Sequence, residues 1–137
     1  MEISEQIILD TDFLSYFLIE KRAAILKMEE LLKNNFIPVT TAITKAEMYF
    51  GARKKGWGEV RMETLERLFA SLGILDFTRT SAEIYGEIRA NLVLKGVDIG
   101  FADTAIASIA FETNSHVLTN NLNHFKRIDG LKVLSFD

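Results

Sequence analysis

The chain has 137 residues, 48% of them hydrophobic, with no cysteine and a formal net charge of −3. That length fits one domain, expected to span 1–137, and the lack of cysteine excludes disulfides and thiolate metal ligation. The acidic balance, pI about 5.4, argues against a broadly basic nucleic-acid-binding surface. The longest apolar run, Phe101–Phe111, is broken by Asp103 and falls far short of the ~20 residues of a membrane span. Glu2, Glu5 and Asp10 with no basic stretch before them do not resemble a signal peptide, so a cytoplasmic protein without a membrane segment is expected.

In chain order, Ile7–Leu9 is a short apolar run expected to form a strand, followed by helices over Asp12–Phe17 and Arg22–Lys33. Phe36–Val39 is expected as the second strand, and Thr44–Lys55 as a helix capped by Thr40 or Thr41. Glu59–Ser71 is predicted helical, Ile74–Phe77 a strand, and Ser81–Lys95 a long helix closed by Gly96. Phe101–Thr113 is predicted as a helix, then Val117–Thr119 and Lys132–Ser135 as the last strands. Strands separated by helices imply an α/β fold with a parallel sheet covered on both faces. Ligands of such sheets sit beyond the carboxyl ends of the strands.

Three acids stand on otherwise apolar elements. Asp10 ends the run Ile7-Ile8-Leu9, which puts it at the binding end of the first strand, although an N-cap role for the next helix explains an Asp there equally well. Glu47 follows Ile43 by four residues and precedes Phe50 by three, so it is expected on or beside the buried stripe of its helix, the alternative being a Glu at the rim of the stripe that reaches water. Asp103 is the only charge in FADTAIASIAF and is expected to align with Ile106, Ala107 and Ala110, in a first turn where the helix dipole favours an anion. Three such carboxylates without basic residues matched to them point to a hard divalent cation held by oxygen, Mg²⁺ or Mn²⁺.

These residues carry a family resemblance. LDTDF at 9–13 resembles the opening motif of PIN-domain nucleases, in which Asn usually follows the Thr; TAITKAEMYFGA at 41–52 resembles their second motif, KGVDIGFADTAIASIA at 95–110 the third, and VLTNNLNHFKRIDGLKV at 117–133 the closing segment. The four segments occur in order along the whole chain, and the layout is similar to that of VapC-type toxins. The resemblance implies a PIN domain with a five-stranded parallel sheet flanked by helices on both faces. It also implies a Mg²⁺- or Mn²⁺-dependent endoribonuclease, the toxin of a type II toxin–antitoxin pair, which hydrolyses RNA with a metal-activated water. Asp10, Glu47 and Asp103 are by this match the metal-site acids and catalytic residues, with Asn121 where the family often has a fourth acid. An amide oxygen there can still ligate or hold a water, but supplies less charge for a second ion. A homodimer and inhibition by a small cognate antitoxin are likewise implied.

Asp12, where the family usually has Asn, could add a carboxylate to the site; Asp98 could join it or cap the next helix. His116 and His124 have no spaced partner and are expected to be structural. Arg53, Lys54 and Lys55 could meet RNA phosphates or complement a helix C-terminus, and Lys126 and Arg127 are better placed for substrate. Met48, Tyr49, Phe50 and Trp57 are expected in the core or a dimer interface rather than in an RNA stacking surface. Two rival functions remain. A phosphoacceptor receiver domain would use Asp76 after the third strand and a late Lys, but Lys132 begins a strand. A catalytically weak PIN-like RNA-binding or scaffold module is kept open by Asn121.

Overall fold

The computed structural model describes residues 4–136. Strand β1 (Glu5–Leu9) contains Ile7, Ile8 and Leu9, all fully buried. Ile7 and Leu9 point into one core cluster and Ile8 into the other, the alternation expected of a strand covered on both faces. The chain continues through α1 (Thr11–Leu18), α2 (Arg22–Lys33), β2 (Phe36–Thr41), α3 (Ala42–Lys54), α4 (Glu59–Ala70) and β3 (Gly73–Leu75). It then forms α5 (Arg79–Leu94), α6 (Phe101–Thr113), β4 (His116–Leu118), the one-turn helix α7 (Leu122–Phe125) and β5 (Val133–Leu134).

Among the described residues the strands form one five-stranded parallel sheet in the order β3-β2-β1-β4-β5. Ile8 is paired with Val39 on one side and Val117 on the other, so β1 is the central strand. From β1 the chain works outward to β3, then returns to the opposite side of β1 for β4. The connections leaving β1 and β4 therefore diverge, and a crevice opens beyond their carboxyl ends. One face of the sheet packs on a cluster with Phe13, Leu31, Met48 and Leu65 from α1 to α4, the other on Leu92, Ile106, Ile109 and Phe125 from α5 to α7. Among the described residues no helix is long and apolar enough to cross a membrane.

Local chemistry sets the helix starts around the crevice. Asp10 caps α1, its Oδ1 accepting from the Phe13 N–H at 2.9 Å, and Thr41 caps α3 by accepting from the Thr44 N–H at 3.0 Å. Gly96, at φ +78°, ends α5 as the sequence predicts, and Gly100, at φ +85°, precedes α6 in a conformation that favours glycine. Asp98 does not cap α6. Its Oδ1 accepts from the Gly100 N–H at 2.9 Å and its Oδ2 pairs with Arg89 at 3.0 Å, which braces the α5–α6 turn.

One expectation shifts. The buried stripe of α3 is Thr44, Met48 and Ala52, one position on from the predicted face, and Ala46 and Glu47 are exposed. The cap at Thr41 sets that phase, because it starts the helix at Ala42 and aims Met48 into the core. Met48, Tyr49 and Trp57 belong to the core cluster, which leaves Phe50, 68% exposed, as the member of that group available to a partner. The receiver arrangement fails: Asp76 follows the edge strand β3, two strands and about 10 Å of sheet from β1. Lys132 instead binds the Asn114 carbonyl and side-chain oxygen at 3.4 and 3.1 Å.

Candidate metal centre

Asp10, Glu47, Asp103 and Asn121 come from four separate elements and meet at the crevice. Asp10 arrives at the end of β1, Glu47 on α3, Asp103 in the first turn of α6 and Asn121 just after β4. Asp10 is the most enclosed, 8% exposed. Besides capping α1 it accepts a hydrogen bond from the Thr119 hydroxyl, whose oxygen accepts from the Asn121 N–H at 2.9 Å. Burial nevertheless pushes its pKa up from 3.8 to about 6, with Asp12 and Asp103 adding repulsion and the two hydrogen bonds offsetting part of the rise. Glu47 sits at the rim and accepts from the Thr11 hydroxyl at 3.0 Å. Desolvation raises its pKa as well; the Thr11 bond opposes this, and the charges of Asp103 and Asp12 reinforce it. Asp12 is thus close enough to be felt by both acids, whereas Asp98 is engaged with Arg89.

Asp103 is half-buried, its side chain 23% exposed, above the buried Ile106, Ala107 and Ala110. Its Oδ2 receives the Asn121 amide at 3.0 Å and the His124 Nδ1 at 2.6 Å. His124, expected to be structural, thus contacts Asp103 at the crevice. The signal was its spacing from Asn121: three residues apart on one helical turn share a face. α7 is too short and too polar for periodicity to reveal that turn.

The donor set fits a hard cation. Among the described residues no Lys or Arg pairs with Asp10, Glu47 or Asp103, and the carboxylates raise rather than relieve one another's cost of ionisation. Among the described residues no three His, Asp or Glu side chains converge tightly enough to enclose an ion as they stand. Beside Glu47 an apolar groove runs past Tyr16, Ile19, Met48 and Trp57 and is edged by Lys55. A second cavity, lined by Ile88, Leu92, Phe111 and Ile128, shares no residue with the acidic crevice.

A parallel sheet with acids gathered at its switch point defines a class, and comparison with known proteins agrees: the PIN domain model matches residues 7–131 and the chain belongs to the PIN-domain family. Within it, the chain is closely related to VapC-type toxins of type II toxin–antitoxin systems. It is 37% identical over 110 residues to the protein named Ribonuclease VapC2 of Rickettsia felis, covering 80% of this chain and 81% of that protein. It is 36% identical over 93 residues to the tRNA(fMet)-specific endonuclease VapC of Salmonella typhimurium, covering 68% of this chain and 70% of that protein. The crystal structure of VapBC2 from Rickettsia felis bound to a promoter DNA fragment superposes with a TM-score of 0.88 at 32% identity, over 96% of this chain and 99% of that one.

Proposed function

We propose that the chain, one PIN domain over 1–137, is a Mg²⁺- or Mn²⁺-dependent endoribonuclease and the cytoplasmic toxin of a type II pair. The observation that carries this reading is the gathering of Asp10, Glu47 and Asp103 beyond β1, with no Lys or Arg paired to them among the described residues. These three carboxylates would hold the cation, with the Asn121 amide beside them. Such an ion supplies positive charge against the scissile phosphate and makes a water acidic enough to serve as nucleophile.

The remaining work falls to the chain itself. Thr119 and the α1 backbone fix the Asp10 carboxylate, and Thr11 fixes that of Glu47. The crevice walls exclude water from Asp10, so its charge is poorly solvated. Exposed Lys126 and Arg127, at the end of the turn that carries His124, would offer positive charge to phosphates of the substrate. Because the Salmonella relative is named a tRNA(fMet)-specific endonuclease, that tRNA is the first substrate to test.

The groove beside Glu47 joins apolar walls to an acidic end, which suits a cognate antitoxin segment that lays apolar side chains along Tyr16, Ile19 and Trp57 and presents Arg or Lys to the carboxylates. A homodimer belongs to the same proposal, supported by large exposed apolar side chains such as Phe50, Leu94 and Phe101, at 68%, 85% and 52% exposure. Incubation of the purified chain with RNA in Mg²⁺ and in excess EDTA tests the reading. Cleavage in Mg²⁺ alone is expected. RNA binding without cleavage in Mg²⁺ or Mn²⁺ would favour the non-catalytic module that Asn121 leaves open, and full cleavage in EDTA would refute metal dependence.

A further inference from the structure

Asp103 Oδ2, His124 Nδ1 and Asn121 Nδ2 lie pairwise within 2.6, 3.0 and 3.0 Å of one another. Only one proton arrangement makes both contacts to an ionised Asp103 favourable. Nδ1 must carry a hydrogen and donate to Oδ2, while the Asn121 amide donates to the same oxygen. Oδ2 then has both lone pairs filled. Among the described residues Oδ1 of Asp103 has no hydrogen bond, so it is the oxygen left to face a cation.

The turn that presents these two donors is fixed from below. Phe125 and Ile128 are 1% and 7% exposed in the core under α6, the Asn121 N–H is held by Thr119 Oγ1, and the Asn121 carbonyl accepts from the His124 and Phe125 N–H groups. With Phe125 anchored inward, its neighbour His124 stands at the crevice, its side chain 40% exposed and its ring on Asp103. Packing in the second core cluster is thereby transmitted to the orientation of one carboxylate.

We propose that His124 is a positioning residue for the metal site: with Asn121 it clamps Oδ2 of Asp103, so that the carboxylate offers Oδ1 alone to the cation. The inference rests on the metal site proposed above. Partners that orient a ligating side chain typically contribute 10–100-fold to metal affinity. The contrary role, in which His124 competes with the cation for Asp103, makes the opposite prediction, because removing a competitor tightens binding.

Calorimetric titration of Mn²⁺ into wild-type protein and into His124→Ala and His124→Asn variants separates these outcomes, with metal-free melting in EDTA as the control for folding. The Asn side chain places an amide N–H where Nδ1 stands. Expected are a loss of Mn²⁺ affinity of roughly 10–100-fold for His124→Ala and recovery of most of it by His124→Asn. Unchanged or tighter binding by His124→Ala would overturn the clamp while leaving the metal site intact. Wild-type protein that binds no Mn²⁺ would overturn both. If the alanine variant does not fold, His124→Gln decides, since its amide reaches one bond further and misses Oδ2: weaker binding by Gln than by Asn supports the clamp, and equal binding overturns it.

Discussion

Asp10→Asn should gain stability relative to the wild-type metal-free protein as pH rises from acid to neutral. The folded chain holds the Asp10 proton more tightly than the unfolded chain does, with a pKa raised from 3.8 to about 6 mainly by burial. Below about pH 3 the group is largely protonated in both states and contributes little. As pH rises from about 4 to 6, the unfolded state loses its proton first, so folding stability falls; above the folded pKa the penalty is constant. Each pKa unit is worth about 1.4 kcal/mol, so the rise from 3.8 to about 6 amounts to about 3 kcal/mol at pH 7. An asparagine keeps the cap, because its oxygen still accepts from the Phe13 N–H, and carries no charge. Its amide nitrogen needs a partner at a site 8% exposed, a cost of about 1–3 kcal/mol that does not vary with pH. The informative quantity is therefore the change in the mutant-minus-wild-type difference between pH 4 and pH 7, expected to be about 2–3 kcal/mol in favour of Asn. Urea denaturation in EDTA across that range measures it. A difference independent of pH would refute the claim that Asp10 is ionised at a cost. Saturating Mn²⁺ should reverse the ranking at pH 7, since the cation stabilises only the carboxylate.

Further outcomes follow from the same site. Glu47→Gln should fold normally, because position 47 is exposed and Gln can still accept from Thr11, while cleavage falls by at least about 10–100-fold; unchanged activity would remove Glu47 from the site. Inhibition by a cognate antitoxin should weaken as Mg²⁺ is raised, since its basic side chain and the ion compete for the same oxygens; inhibition assays indifferent to Mg²⁺ would place the antitoxin elsewhere. Light scattering at micromolar concentration should give twice the monomer mass, and Phe101→Lys should lower it if that exposed side chain lies in the interface; a monomer in the wild-type protein would refute the dimer.

What the sequence revealed depended on how strongly each pattern constrains its environment. β1 and α6 were evident because Ile7-Ile8-Leu9 and FADTAIASIAF tolerate no exposed face, and that made Asp10 and Asp103 conspicuous as charges at the ends of buried elements. Asp103 was placed over Ile106, Ala107 and Ala110 by helical spacing, and those three side chains are buried. Glu47 was singled out for a reason the fold does not support. The α3 stripe passes through Met48, and Glu47 reaches the acids from the rim rather than from the core. An amphipathic helix with mixed residues on both flanks leaves its phase undetermined to within a residue, and only the cap at Thr41 settles it. The contact of His124 with Asp103 was not legible because four residues cannot display a period, and it depends on Phe125 packing beneath α6, a contact between segments distant in sequence. Whether Met48, Tyr49 and Trp57 fill the core or a dimer interface was not legible because composition cannot tell how much side-chain volume the space between α1, α3 and α4 absorbs.

If the carboxylates beyond β1 make this chain a metal-dependent nuclease, RNA cleavage in Mg²⁺ must depend on Asp103, which a comparison of wild-type protein with Asp103→Asn decides, with folding verified by melting and product ends analysed. Wild-type protein should leave 5′-phosphate and 3′-hydroxyl ends, because water rather than the RNA 2′-hydroxyl is the nucleophile, and the folded variant should be inactive. A 2′,3′-cyclic phosphate product, or cleavage that persists in folded Asp103→Asn, would show that these carboxylates do not activate the attacking water.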